Sequence, residues 1–163
     1  MSSDAHEIRV KVADYAVASD GVIATIGLGS CVAIVLYDPV AHVGGLAHIL
    51  LPDVSMSRDR SNPAKFPSTI LPILIEEMGR LGASRKRLRA KIVGGASMFG
   101  NLIPSGAMNI GERNVLAVRE VLGSAKIPIV AADTGSDHGR SVFLSLDDGR
   151  VEVRSLRKGT HVL

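Results

Sequence analysis

Hydrophobic and polar positions along the chain change period several times. Ile8, Val10 and Val12 alternate with Arg9 and Lys11, which predicts a half-buried strand. Gly21 to Ser30 is glycine-rich and predicts a loop. The unbroken apolar run Cys31–Tyr37 predicts a buried strand, Asp38-Pro39 a turn, and Val43–Leu51 a returning strand. Val54 to Pro67 is polar and predicts a mobile surface loop. From Thr69 the period becomes helical: Ile70, Leu71, Leu74, Ile75, Met78 and Leu81 form one stripe. Thr69 suits the N-cap of that helix, Pro72 its first turn and Gly82 its C-terminal cap. A short apolar stretch, Lys91–Val93, ends at Gly94-Gly95. Asn109 and Glu112 then have the spacing of a capping box for a second helix from about Gly111 to Leu122. Its inner stripe is Val115, Val118, Val121 and Leu122. Ile127–Ala131 predicts a strand, and Ser141–Leu146 with Arg150–Leu156 a hairpin around Asp147-Asp148-Gly149. Roughly six or seven strands, two helices and hairpins at both ends indicate an α+β fold.

The 163 residues fit one domain, 1–163, and the 46% apolar content against 21% charged excludes a disordered chain. No apolar run reaches the roughly 18–20 residues that cross a bilayer. The opening MSSDAHEIRV lacks the basic patch and apolar stretch of a signal peptide. The lone cysteine, Cys31, cannot form an intramolecular disulfide, which suits a reducing, cytoplasmic setting. The net charge of +3 comes without Trp and with only two Tyr and three Phe, so stacking platforms for nucleic acid are lacking. The one basic cluster is Arg80, Arg85, Lys86, Arg87, Arg89 and Lys91. It reads as a solvated connection between elements or as a dock for an acidic protein surface.

Candidate chemistry concentrates in Thr25-Ile-Gly-Leu-Gly-Ser-Cys31 and in the following hairpin, which carries His48. A turn centred between Pro39 and Val40 makes paired residue numbers sum to 79, which sets Cys31 opposite His48. Directly opposed side chains have Cβ atoms about 4.5–5.5 Å apart, close enough for a thiol–imidazole contact. A neighbouring imidazole lowers a thiol pKa, donates a proton to a leaving amine and then activates water. The backbone N–H groups of the turn, Gly29 and Ser30 among them, suit an oxyanion. The Thr25 hydroxyl suits the orientation of the imidazole. Against this stand plainer readings: a lone Cys as an inert small hydrophobe, and a strand His as a satisfied core residue. Gly27-x-Gly29 lacks the third glycine, the Lys and the following helix of a nucleotide loop. His6, His42, His48, His138 and His161 show no metal-ligand spacing, and no cofactor is expected. Asp137-His138-Gly139-Arg140 reads as a polar turn or as the lining of a site.

Three stretches, Thr25–Ala33 (TIGLGSCVA), Leu36–Pro39 (LYDP) and Gly44–Pro52 (GGLAHILLP), resemble the CheD family of chemoreceptor glutamine deamidases. The resemblance continues through Leu74–Gly82, Lys91–Phe99, Ile110–Asn114, Ile127–Gly135 and Gly139-Arg140, in family order over nearly the whole chain. It implies a three-layer α/β/β sandwich like other Cys-His protein deamidases. It also implies Cys31 as nucleophile, with His48 and Thr25 as its catalytic partners, the positions already singled out by chemistry. Gly94 and Gly95 join Gly29 and Ser30 as candidate oxyanion or substrate-binding positions. The implied substrates are glutamines, and glutamyl methyl esters, on cytoplasmic helices of methyl-accepting chemotaxis receptors. A CheC-type response-regulator phosphatase is the implied partner in a regulatory alternative, and a redox-sensing thiol is a third reading that lacks a resolving cysteine. Phe66-Pro67-Ser68-Thr69 and Pro72 depart from the regular helix start expected of the family.

Overall fold

A computed structural model describes residues 6–98 and 108–163; Met1–Ala5 of the N-terminal stretch and Phe99 of the resembling motifs lie outside the described residues. Two five-stranded sheets stack face to face. The first runs β1 (Glu7–Arg9), β3 (Val22–Leu28), β8 (Arg140–Ser145), β9 (Val151–Ser155) and β10 (Gly159–Val162). The second runs β2 (Asp14–Ala18), β5 (Val43–Ile49), β4 (Val32–Asp38), β6 (Arg89–Gly94) and β7 (Ile129–Thr134). Two helices, α1 (Pro67–Arg80) and α2 (Ile110–Ser124), cover the outer face of the second sheet. The architecture is α+β, a three-layer α/β/β sandwich.

The central strand β4 explains the layering. Every one of its residues is buried, because its two faces meet different layers. Val32, Ile34 and Leu36 pack with Ile70, Leu74 and Met78 of α1 and with Val118 and Leu122 of α2. Ala33, Val35 and Tyr37 point the other way, into a core shared with Ile23, Val142, Leu144 and Val153 of the first sheet. Such doubly covered strands read as continuous apolar runs, as Cys31–Tyr37 did. Beside it in β5, Gly44 and Gly45 keep the layers close. An added Cβ at Gly44 would lie 2.5 Å from Leu146 Cδ1, and one at Gly45 would lie 3.2 Å from both Leu74 and Met78.

Several expectations shift in the structure. The glycine-rich stretch is not a loop but holds strand β3. A bulge between Thr25 and Leu28, with Gly27 at φ +77°, leaves Ile26 and Gly27 exposed and breaks the alternation that would have revealed a strand. The β4–β5 turn holds four residues, 39–42. Asp38 pairs with Val43, its Oδ1 accepts the N–H groups of Val40 and Ala41, and His42 takes φ +57°. Paired numbers therefore sum to 81: His48 opposes Ala33, and Cys31 lies on the diagonal. A shift of two keeps the side-chain face, whereas a shift of one would have inverted it. The stretch 54–67 holds two 3-10 turns, Val54–Met56 and Pro63–Lys65, and docks through buried Ala64 and Phe66.

Helix α1 starts before Thr69. Pro67 occupies its first position, where a missing N–H costs nothing, and Pro72 falls inside. The Thr69 hydroxyl instead donates to the carbonyl oxygens of Pro63 (2.6 Å) and Phe66 (3.2 Å). At the other end Gly82, at φ +105°, completes a Schellman cap with Gly82 N–H on Gly79 O and Ala83 N–H on Met78 O. Asn109 caps α2 with Glu112, as its spacing predicts. Two edge strands had no readable pattern: β2, entered through Ala13 at φ +57°, and the exposed β10. In the basic cluster Arg87 binds buried Asp38 at 2.9 Å, Arg85 donates to Ala125 O, and Arg80 pairs with Glu76. Arg87 and Arg85 tie elements together, whereas the Arg80–Glu76 pair lies within α1.

Candidate active site

The candidate site forms where the two sheets face each other. Thr25 sits on β3 of the first sheet and His48 on β5 of the second, both wholly enclosed at 0% and 1% exposure. His48 shares a face with Gly44 and Leu46, so its imidazole enters the inter-sheet layer. The residue opposite it, Ala33, is small enough to leave that space open. The imidazole meets Thr25 at 2.7 Å between Nδ1 and Oγ1. The same hydroxyl lies 2.7 Å from the carbonyl oxygen of Val10.

Those two contacts settle a tautomer. A carbonyl can only accept, so the Thr25 hydroxyl gives its one proton to Val10 O. Its oxygen must then accept from His48, which places the ring proton on Nδ1. The other nitrogen, Nε2, carries a lone pair and has no hydrogen-bond partner among the described residues. Burial pushes the His48 pKa down to about 4, so the ring is neutral near pH 7. A neutral imidazole with an uncommitted Nε2 is equipped to take a proton.

Cys31 lies in the crossing between β3 and β4, within the same inter-sheet core and almost fully buried. As the diagonal neighbour of His48, its Cα is about 7–8 Å away by ladder geometry, and no hydrogen bond joins its thiol to His48 Nε2. Desolvation pushes its pKa up, and its own backbone N–H opposes that shift. The direction is opposite to that expected from an adjoining imidazole, because a neutral ring supplies no charge to hold a thiolate. The resting pair is thiol and imidazole.

The backbone around Cys31 is held from below. Gly95 N–H donates to Cys31 O at 2.8 Å and Ala96 N–H to Gly29 O at 2.9 Å. A Cβ at Gly94 would lie 2.3 Å from Cys31 O, and one at Gly95 would lie 2.2 Å from Val115 Cγ2. Gly94 and Gly95 thus support the cysteine's backbone. The Gly95 N–H is thereby committed to Cys31 O. The Ser30 N–H has no protein acceptor among the described residues. In the Asp137–Arg140 turn, Arg140, 2% exposed, donates from Nε to Asp133 at 3.1 Å, and Asp133 also meets His161 at 2.9 Å.

One residue of the neighbourhood escaped sequence reasoning. Asn114 of α2 is fully buried, and its Nδ2 donates to Ser30 O (2.9 Å) and Leu50 O (3.1 Å). The available signal was its spacing: Asn114, Val118 and Leu122 follow at i, i+4 and i+8, so an amide interrupts an apolar stripe. Among the described residues no group of three or more His, Cys, Asp or Glu could hold a metal. None of their helices is long and apolar enough to cross a membrane.

A thiol, a proton-accepting imidazole and an orienting hydroxyl, enclosed between the sheets of an α/β/β sandwich, are the groups that a cysteine-dependent amidohydrolase uses. Comparison with known proteins places the chain further. The model of CheD, described as CheD chemotactic sensory transduction, matches residues 50–155. A probable chemoreceptor glutamine deamidase CheD from Caldanaerobacter subterraneus subsp. tengcongensis is 53% identical over 153 residues, covering 93% of this chain and 94% of its own. Proteins of the same name from Clostridium novyi (46% identity; 96% of this chain, 98% of theirs) and Pyrococcus abyssi (49%; 94% and 94%) are similar over the same extent. The chain belongs to the CheD family. Among solved structures, the hypothetical protein YfiH of Bacillus licheniformis is similar at 14% identity and a TM-score of 0.45, over 76% of this chain and 50% of that one.

Proposed function

We propose that this protein is a cytoplasmic enzyme of chemotaxis adaptation, which hydrolyses the side-chain amide of specific glutamines on methyl-accepting chemoreceptors to glutamate and ammonia. The supporting observation is the chain of contacts Val10 O, Thr25 Oγ1, His48 Nδ1, which leaves Nε2 as the base. Cys31 Sγ attacks the carboxamide carbon as its proton passes to His48 Nε2. The oxyanion that forms lies against the N–H groups of Gly29 and Ser30. His48 returns the proton to the nitrogen, the C–N bond breaks, and ammonia leaves a thioester on Cys31. Water then gives a proton to His48 and its oxygen to the acyl carbon. The C–S bond breaks, glutamate departs and the thiol is restored.

Thr25 holds the imidazole in this tautomer. As a neutral group it stabilises the imidazolium less than a carboxylate would. A glutamyl methyl ester needs the same steps with methanol as leaving group, and is the second substrate. The test is peptide mass spectrometry on a receptor cytoplasmic fragment treated with wild type or Cys31→Ala. Conversion of a defined glutamine to glutamate by the wild type alone is the expected result. Undiminished conversion by Cys31→Ala overturns the mechanism. Docking on a CheC-type phosphatase is a separate proposal, tested by whether Cys31→Ala still stimulates such a phosphatase.

A further inference from the structure

Asn114 contacts no reacting group, yet its amide joins the two segments that carry the nucleophile and the base. Ser30 immediately precedes Cys31, and Leu50 lies two residues beyond His48. One buried NH₂ group supplies both protons, to Ser30 O at 2.9 Å and Leu50 O at 3.1 Å. Reversing the amide would set its oxygen against two carbonyl oxygens, so the assignment of nitrogen and oxygen is fixed by chemistry. The remaining oxygen, Oδ1, is buried without a partner among the described residues. An unpartnered buried acceptor is a cost that folding alone does not favour, and an apolar residue in line with Val118 and Leu122 would avoid it.

The helix that carries Asn114 is itself closely located. A Cβ at Gly111, one turn earlier, would lie 2.3 Å from Ala96 O and 2.6 Å from Gly95 O, so α2 rests backbone to backbone on the glycine turn. That turn in turn accepts and donates around Cys31 through Gly95 N–H on Cys31 O and Ala96 N–H on Gly29 O. Helix α2, the glycine turn and the cysteine crossing form one backbone stack, and Asn114 extends it to the end of the His48 strand.

We propose that Asn114 is a positioning residue, whose amide sets the separation of Cys31 from His48 by bridging the carbonyl groups of Ser30 and Leu50. The proposal rests on the Cys31–His48 reading of the site. With the bridge cut, the two segments are free to move apart, and a misplacement of about 1 Å costs on the order of 100-fold in rate.

The informative variant is Asn114→Leu, which fills nearly the same volume, removes the orphaned oxygen and cuts both hydrogen bonds. Val118→Ala, one turn further along the same buried line, is the control for loss of packing. Three quantities are read on each: the melting temperature, kcat and KM for deamidation of a receptor cytoplasmic fragment, and the rate at which iodoacetamide alkylates Cys31, the only cysteine in the chain. The expected result is a folded Asn114→Leu protein whose kcat falls at least about tenfold at unchanged KM, with severalfold faster alkylation. Val118→Ala melts earlier but keeps both rates.

Wild-type rates in Asn114→Leu overturn the proposal. So does an equal loss of kcat in Val118→Ala. An Asn114→Leu protein that does not fold while Val118→Ala does also overturns it, since the amide is then a structural requirement. If the wild type itself deamidates nothing, the functional reading fails, and the alkylation rates still decide the role of Asn114.

Discussion

Replacing Thr25 by Val keeps the shape of a fully buried side chain and removes one oxygen that makes two hydrogen bonds of 2.7 Å. No cavity opens, so the change isolates the polar contribution. It leaves Val10 O and the His48 Nδ1–H facing apolar surroundings, at about 1–3 kcal/mol for each buried group left without a partner. A total loss of roughly 2–6 kcal/mol follows. At about 2–4 °C per kcal/mol for a domain of this size, the melting temperature drops by roughly 4–24 °C. The catalytic loss has a different origin. Without Thr25 the ring proton can sit on Nε2, and that tautomer cannot accept the thiol proton. Loss of the orienting carboxylate in a serine triad costs about 10⁴ in kcat. A hydroxyl orients without a countercharge, so about 100-fold is expected here, at unchanged KM. Melting and receptor deamidation measured together on Thr25→Val and Thr25→Ser separate the effects. Thr25→Ser keeps the oxygen and loses one methyl group, for about 1 kcal/mol and near-normal kcat. A fully active Thr25→Val enzyme, or a Thr25→Ser enzyme as slow as the valine variant, would refute the tautomer argument.

The remaining expectations concern pH and backbone. Burial holds His48 to a folded-state value of about 4, below its ordinary 6.5. The unfolded chain therefore takes up a proton first as pH falls, and stability declines between about pH 6.5 and 4, then levels as the folded ring also protonates. The total is about 3 kcal/mol, read from urea titrations across that window; His48→Gln flattens the decline, and a wild-type curve that is already flat refutes the assignment. The acid limb of kcat/KM lies near 4 for the same reason. Gly94→Ala places a Cβ 2.3 Å from Cys31 O at φ +114°, a conformation that costs of order 1–3 kcal/mol. It lowers both the melting temperature and kcat, and an unchanged kcat would show that the glycine turn does not hold the nucleophile in place.

Local pattern carried much of this molecule. The helical stripe of α1 and the capping pair Asn109–Glu112 stand where periodicity puts them, because helix periods and caps are set within a few residues of chain. The continuous apolar run of β4 announced a strand covered on both sides. What misled were places where one residue breaks a local rule. Gly27, in a bulge, hid strand β3 inside an apparent loop. His42, in a left-handed conformation, lengthened a turn from two residues to four. Pro67 and Thr69 started α1 through a bond to the preceding 3-10 turn rather than by a side-chain cap.

For the candidate site, the sequence by itself determined which chemistry was on offer: a single thiol, an imidazole on a buried strand and a hydroxyl before a glycine turn. Alternation also determined that Cys31 and His48 share a face, since that survives a register shift of two. Partnership was decided elsewhere. That Thr25 meets His48 depends on two strands from different sheets, 23 positions apart, stacking face to face. That Nε2 is the free nitrogen depends on Val10 O, which no spacing rule links to either residue. Asn114, 84 positions from Ser30, reaches its carbonyl only because α2 lies against the glycine turn. Hydrogen bonds are short and directional, whereas sequence periodicity specifies only which face a side chain takes. The distances that give those faces a common chemistry are set when the layers pack.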